Sequence, residues 1–452
     1  MKVFISYSHQ DKKHAILIAE QLKEANHEVW FDSWNLKVGD NLLKKISEGI
    51  ETADILILLI SKNTAKSKWV MHEFSAIAFN DLSKQKQRII PVIIDKGPIP
   101  SYLSQYLYID LSSDFEMGVK KLISSLAHEG RDETEESVEA QQQEQKKEAR
   151  DSKISDLAKA LHGGRLTLVC GAGVSVGAGV PSWNDLLLRL LGTMITRMST
   201  DHSLSMSGSD ADKFHSRYSQ SSLVVGKYLK SNLGKDFLTE LREALYTSDP
   251  KTCDILNSIV DLSRPQRDGK PIDSIITFNF DALLEENLDK QNIEYKTVYG
   301  EGVRNSPNEL PVYHVHGFLP RKGRIPKDMD VVFSEDAYHS QFIEPFSWSN
   351  LIQLNKLSQN TCLFIGLSLT DPNLRRLLDV AIRKNPEKTL NHYFIKKTPS
   401  DSTTRDKMDK LALLLEEQDA NGLGLSMIWV DDYSEIPTIL RQIALTSSSN
   451  GQ

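Results

Sequence analysis

The sequence predicts an α/β protein of two domains, each a parallel sheet flanked by helices, and three observations lead there. The chain has 452 residues, which at roughly 100 to 200 residues per domain suggests two or three domains with cores of their own. Short runs of Val, Ile and Leu alternate with amphipathic helical stretches, the pattern of strands buried on both faces by helices. The alternation is interrupted at residues 129–153, EGRDETEESVEAQQQEQKKEARDSK, which hold almost no large apolar side chain. This segment reads as a charged linker, and its Glu and Lys content favours a solvated helix over a coil.

Before the linker the elements follow in order: KVFIS, then DKKHAILIAEQLKEA as helix, EVWF, DNLLKKISEGIETA as helix, DILILLIS, SKWVMHEFSAIAFNDLS as helix, and RIIPVIID. After it the strands are GRLTLVC, IDSIITF, LPVYHVH, TCLFIGL, HYFIKK and LSMIWV. Between the first two of these, residues 183–264 read mostly as helix, with a Ser-rich loop at HSLSMSGSD, and are expected to form a helical insertion or cap. The expected boundaries are 1–128 for the first domain, 129–153 for the linker and 154–446 for the second domain. The end, 447–452, is expected to be disordered.

Composition excludes several classes. Hydrophobic residues at 40% and charged residues at 25% are those of a globular protein, so disorder, collagen and a membrane bundle are ruled out. Lys+Arg 54 against Asp+Glu 61 gives a net charge of -7, which supplies no electrostatic attraction to nucleic acid or to an anionic membrane. A small molecule or a protein is the expected partner. The 3 cysteines, Cys170, Cys253 and Cys362, lie far apart and build neither a disulfide framework nor a Cys-x-x-Cys zinc site. The apolar run at the start is shorter than the roughly 7 to 15 residues of a signal-peptide core, and no stretch approaches the 18 or so apolar residues of a membrane span, so the expected location is cytoplasmic.

In open parallel sheets ligands sit beyond the carboxyl ends of the strands. In the first domain those positions hold SYSHQD, DSWNLKVGD and SKNTAKSKWVMHE. Together FISYSHQDK, the VWFD-x-W-x-L-x-x-GD loop, the ILLIS strand and the S-x-W-x-x-x-E step resemble the Toll/interleukin-1 receptor (TIR) domain, above all its bacterial branch, over residues 1 to about 128. The resemblance implies a flavodoxin-like fold. Glu73 lies four positions after Trp69 on a predicted helix, so the two side chains share a face. In catalytic TIR domains the glutamate at this position carries NAD cleavage, and the resemblance implies the same for Glu73. A carboxylate there would stabilise the oxocarbenium-like ribose while the Trp69 ring stacks on a base. Tyr7, Ser8 and Trp34 are candidate pocket walls. The alternative makes Glu73 a surface helix residue and Trp69 a core anchor, as in TIR domains that serve only in assembly.

In the second domain RLTLVCGAGVSVGAGVPSW runs from a strand into a glycine-rich loop ahead of an amphipathic helix, NDLLLRLLGTMI. Glycines let a backbone approach a pyrophosphate, and a helix start adds amide donors. The absence of Gly-Lys-Ser/Thr speaks against a phosphate-transferring P-loop. Three later strand ends carry ITFNFDALLE, YHVHGFLP and FIGLSLTDPNLRRLL. In this order the four motifs resemble the sirtuin-like NAD-binding domain, in particular the prokaryotic branch found in antiviral defence proteins, over about 154 to 446. The resemblance implies a Rossmann-like fold with Gly171, Ala172, Gly173 and Ser175 at the adenosine diphosphate. It puts Pro181 in the loop over the nicotinamide ribose and Gly366 and Ser368 at the adenosine side. Asn279 would order a water or ribose hydroxyl at the anomeric carbon, Asp281 would hold the nicotinamide carboxamide, and His316 would be the general base. Two other readings stand beside these: Asn279 and Asp281 as caps of the following helix, and His314 with His316 as a metal pair, for which no third ligand is apparent.

Classical sirtuins carry a structural zinc ribbon of paired cysteines, which this chain lacks. Hydrolysis of NAD by water is therefore favoured over transfer of an acyl group. The expectation is an NAD glycohydrolase of prokaryotic antiviral defence. NAD is its substrate and no metal takes part; it is a homo-oligomer, switched on by assembly or by a phage-derived or nucleotide trigger. One alternative gives Glu73 all the chemistry and leaves the second domain as a nucleotide sensor; another is a non-enzymatic TIR scaffold.

Overall fold

A computed structural model describes residues 1–30, 53–62, 88–95, 108–127, 135–202, 221–264, 271–325, 329–384, 392–399 and 407–449. The chain divides into two compact units, 1–152 with 399–420, and 153–398 with 421–452.

In the first unit the order is Lys2–Ser6 (β1), Lys12–Glu24 (α1), Glu28–Trp30 (β2), Ile55–Ile60 (β3), Arg88–Ile93 (β4), Ile109–Asp110 (β5) and Phe115–Ala127 (α2). All five strands are parallel, in the order β2-β1-β3-β4-β5, the doubly wound order of flavodoxin-like folds. All six residues of β3, ILILLI, are buried, which is why no polar alternation marks this strand. Helix α1 buries Ala15, Ile18, Ala19 and Leu22, one helical stripe, against Val3, Ile5 and Val119 in a single core cluster. Strand β5 was not legible in the sequence because it is only two residues long.

The charged segment is helical from Glu135, and the helix runs on to His162 (α3). Its last turns bury Ile154, Leu157, Ala158 and Leu161 in the second unit, so linker and first core helix are one continuous element.

The second unit continues with Leu166–Cys170 (β6), Gly173–Val176 (α4), Trp183–His202 (α5), Ser222–Leu233 (α6), Phe237–Tyr246 (α7), Asp254–Leu262 (α8), Ser274–Thr277 (β7) and Leu283–Lys290 (α9). Then come Tyr295–Val298 (β8), Leu310–His314 (β9), Glu335–Ile343 (α10), Trp348–Gln359 (α11), Thr361–Ile365 (β10) and Pro372–Lys384 (α12). His392–Lys397 (β11), Leu425–Val430 (β12) and Ile436–Ser449 (α14) complete the order of this unit, while Lys407–Gly422 (α13), between β11 and β12 in the chain, belongs almost wholly to the first unit. Seven parallel strands lie in the order β12-β11-β10-β6-β7-β9-β8. The edge strand β8 was missed because three of its four residues are only partly buried, which leaves no apolar run. Helices α5 to α8 lie in the stretch expected to be helical, and residues 203–220, with nearly all of the expected Ser-rich loop, lie outside the described residues. Leu187, Leu190, Val225, Leu229, Phe237, Leu241 and Ile259 join Leu168 and Ile275 in one core cluster, so this stretch is built into the domain. At the end, α14 buries Ile436, Ile439, Leu440 and Ile443 and its backbone stays helical to Ser449. Residues 447–449, expected to be disordered, are therefore helical: the anchored helix propagates through them one hydrogen bond at a time. Residues 450–452 lie outside the described residues.

Candidate functional site

Strand β6 is flanked by β7 on one side and β10 on the other, so the direction of winding reverses there. Such a switch point opens a crevice at the carboxyl ends of the strands. The loops after β6 and β10 interlock across it. Gly171 N donates to Ile365 O at 2.9 Å and Gly173 N to Gly366 O at 3.0 Å. A Cβ on Gly171 would sit 2.5 Å from Gly366 O, and one on Gly366 (φ +68°) 2.7 Å from Val174 N. These glycines are demanded by backbone meeting backbone. The amides of Gly171 and Gly173 serve this loop contact, and the first helix after them is the single turn α4, with the amphipathic α5 starting only at Trp183.

Beneath the loop lies a buried polar cluster. Asn279 Nδ2 donates to Ser175 Oγ at 3.1 Å, and Ser175 Oγ donates to Asp281 Oδ1 at 3.2 Å. Leu283 N also donates to Asp281 Oδ1, at 3.1 Å, so one oxygen of Asp281 meets the first amide of α9; the N-cap position itself is Ala282, and Asn279 does not reach the helix. Burial raises the Asp281 carboxyl to about 6, against the Leu283 amide, the His314 charge and the Ser175 hydroxyl, which favour the carboxylate. His314 is fully buried and bonded at both nitrogens, Nδ1 to Asn279 O at 2.9 Å and Nε2 to Glu285 Oε1 at 2.8 Å. A carbonyl only accepts, so Nδ1 carries a proton. Burial disfavours the imidazolium, but the charge and hydrogen bond of Glu285, the Asn279 carbonyl and Asp281 outweigh it, and the pKa of His314 is raised. Thr297 Oγ1 donates to the same Glu285 oxygen at 3.2 Å, while Glu285 Oε2 is buried without a hydrogen bond.

Past β9 the chain turns at Gly317 (φ +102°), where a Cβ would meet Asp330 O at 2.6 Å. His316 sits in this turn, edge-on to Phe278 with ring centroids 4.6 Å apart, and its Nε2 lies 3.2 Å from Asp371 Oδ2. Asp371 accepts from Tyr338 Oη at 2.7 Å through the same oxygen and from Leu374 N at 2.7 Å through the other. Among the described residues, Asn279 Oδ1, Asp281 Oδ2 and His316 Nδ1 make no hydrogen bond, so the chain just after β7 and β9 offers three polar atoms without a partner at the same edge of the sheet. The insertion helices brace this edge: Tyr246 Oη accepts from Ala282 N and donates to Leu319 O, both at 2.8 Å, and Arg321 lies 4.7 Å from the Tyr246 ring centroid while bonding both oxygens of Glu286.

Of the residues expected at this site, Gly171 and Gly366 lie on the switch-point loops, Ser175 in α4, Asn279 and Asp281 just after β7, and His316 just after β9. Ala172 and Gly173, following Gly171, are exposed, Pro181 is buried ahead of α5, and Ser368 is exposed and bonded to Thr370 Oγ1 at 2.7 Å. His314 and His316 do not form a pair. The strand ends at His314, so period-two alternation no longer holds at His316 and the two rings take different partners. Among the described residues no group of three or more His, Cys, Asp and Glu is arranged to hold a metal. Sequence reading passed over Glu285, Tyr338 and Asp371. Asp371 had a local signal, since Asp-Pro ahead of an apolar periodic stretch marks a helix start. In the first unit Tyr7 packs in the core, Ser8 is buried with its carbonyl accepting from Asp11 N at 2.7 Å, and Ser61 Oγ donates to the buried Asp11 at 2.6 Å. Trp34, Trp69 and Glu73 lie outside the described residues.

Comparison with known proteins matches residues 3–123 to the TIR domain and residues 273–419 to the SIR2-like domain. The NAD(+) hydrolase ThsA of Enterococcus faecium is 25% identical over 307 residues, 64% of this chain and 57% of that protein. The 2' cyclic ADP-D-ribose synthase BtTIR of Bacteroides thetaiotaomicron is 34% identical over 90 residues, 20% of this chain and 31% of that protein. The NAD(+) hydrolase TcpA of Theionarchaea archaeon (strain DG-70-1) is 28% identical over 127 residues, 27% of this chain and 38% of that protein. The chain thus spans little more than half of the first of these relatives and about a third of the other two.

Proposed function

We propose that this chain, which joins a TIR domain to a SIR2-like domain, cleaves NAD at the SIR2-like site and passes the ribosyl group to water, giving nicotinamide and ADP-ribose. The observation that carries the reading is the trio of polar atoms without a partner among the described residues, Asn279 Oδ1, Asp281 Oδ2 and His316 Nδ1, at the carboxyl edge of a sheet whose switch point is lined by close-packed glycine loops. The bond between the ribose anomeric carbon and the pyridinium nitrogen breaks, and its electron pair discharges the ring. Asp281 accepts from the carboxamide N–H, Asn279 Oδ1 accepts from the incoming water, and His316 takes the proton that water loses as its oxygen bonds to carbon. NAD(+) hydrolase is the name borne by the relative that aligns over 64% of the chain, and that supports the substrate class. A second reading gives the cleavage to Glu73 and leaves the SIR2-like domain to sense nucleotide. The synthase named for the Bacteroides relative favours it.

Uncontrolled NAD loss kills a host, so an enzyme of this kind needs a resting state. A role in prokaryotic antiviral defence, in the cytoplasm, with activity released by homo-oligomer assembly or a phage-derived or nucleotide trigger, fits that need. No helix among the described residues is long and apolar enough to cross a membrane. The test is nicotinamide release from NAD over a protein concentration series, comparing wild type with Glu73→Gln, Asn279→Ala and His316→Ala. Loss in the last two variants alone is the expected result, and loss in Glu73→Gln alone assigns the chemistry to the TIR domain. Sedimentation in parallel tests assembly, and a fully active, invariant monomer would sink that part.

A further inference from the structure

The partners of His316 decide which of its nitrogens can act. Asp371 stands on the loop after β10 and reaches His316 Nε2 at 3.2 Å, and the side chains of the two residues are largely buried. The carboxylate is held from three directions, by His316, by the Tyr338 hydroxyl on α10 and by the Leu374 amide in the first turn of α12. The tyrosine hydroxyl and the amide N–H both donate hydrogen bonds to it, an arrangement that favours the ionised carboxyl. Burial pushes Asp371 up, but the hydrogen bond and charge of His316 with the two other donors hold it net below the usual carboxylate range. An ionised carboxylate only accepts, so its approach to Nε2 at 3.2 Å favours the tautomer of a neutral His316 that carries the proton on Nε2. Its lone pair is then on Nδ1, the nitrogen that makes no hydrogen bond among the described residues.

We infer that Asp371, braced by Tyr338 and the start of α12, is the positioning residue of the site: it fixes His316 in the Nε2–H tautomer and thereby makes Nδ1 the nitrogen that accepts the proton of the attacking water. This rests on the reading of His316 as general base. As the water oxygen bonds to the anomeric carbon, its proton moves to Nδ1 and the ring becomes an imidazolium. The Nε2 proton stays on nitrogen, and Asp371 stabilises the new positive charge without taking up a proton. The same residue ends the strand-to-helix turn, so the cap of α12 and the aim of the base are set by one carboxylate.

Two measurements on the full chain test this. With ¹⁵N-labelled histidine, and with the His316 signals identified by their absence in His316→Gln, the neutral ring of the wild type is expected to be protonated at Nε2; protonation at Nδ1 overturns the inference irrespective of any activity. In Asp371→Asn the helix keeps a good cap, but the amide can present N–H to the ring and drive its proton to Nδ1. The expected result is a kcat for nicotinamide release lower by about 10²- to 10⁴-fold, the range of a lost general base, with KM for NAD unchanged. Tyr338→Phe leaves the carboxylate and loosens its hold, and is expected to show a smaller loss in kcat of the same kind. Unchanged kcat in Asp371→Asn beside a dead His316→Ala overturns the role of Asp371 alone, whereas undiminished release by His316→Ala overturns the general-base reading itself.

Discussion

Replacing Asp281 with Asn should stabilise the second domain while it disables the site. Asp281 is nearly inaccessible, and burial lifts its carboxyl from 3.8 to about 6. The sign follows from linkage: the folded state binds the proton more tightly than the unfolded chain, so stability rises as pH falls from about 6 towards 3.8, and the full cost of the buried charge is present above about 6. A shift of roughly two pH units at 1.36 kcal/mol each makes that cost up to about 3 kcal/mol. Asparagine keeps an oxygen for Ser175 Oγ and Leu283 N and brings no charge. Urea unfolding of wild type and Asp281→Asn at pH 8, 6 and 4 should show the variant more stable by up to about 3 kcal/mol at pH 8, with the gap closing towards pH 4 and nicotinamide release lost. A variant less stable than wild type at pH 8, or a gap that does not shrink on acidification, would refute the reasoning.

Glu285→Gln takes from the buried His314 its directly bonded charge partner and should cost about 3–5 kcal/mol in urea unfolding near neutral pH. Because the His314 pKa is raised, the contribution of the pair is complete below the ordinary value of 6.5 and is lost as pH rises through the folded value, so the difference from wild type should narrow on the alkaline side. Gly366→Ala puts a Cβ 2.7 Å from Val174 N at a φ of +68°, and should lower stability by about 1–3 kcal/mol and weaken NAD binding, as thermal melts and titration calorimetry would show. Tyr246→Phe deprives Ala282 N–H and Leu319 O of their shared partner, at about 1–3 kcal/mol in a thermal melt. An unchanged melting temperature would mean that both groups find water instead.

Much of this architecture was legible in one dimension. A strand covered on both faces must be apolar at every position, so LTLVC, SIIT and TCLFI announced themselves, and the two sheets followed from their alternation with helices. Strands that break that condition, β8 at its half-exposed edge and β5 with two residues, left no mark. The glycines after β6 were visible as a motif, but their reason was not: it is the approach of Gly366, brought alongside by the pairing of β10 with β6. The order of the sheet brings Asp371, after β10, against His316, after β9, and a hydrogen bond from the end of β9 to α9 joins His314 to Glu285 across 29 residues. Sequence periodicity reports which face of its own element a residue occupies. It carries no record of which elements become neighbours, or of where a strand stops, and so it aligned His314 with His316 where the chain had already begun to turn. By itself the sequence determined the elements and the chemical types available at the strand ends, because burial acts residue by residue. Only the tertiary structure decided which nitrogen of His316 faces a carboxylate and which carboxyls are pushed up or down, because hydrogen bonds and desolvation depend on groups that meet through the winding of the sheet.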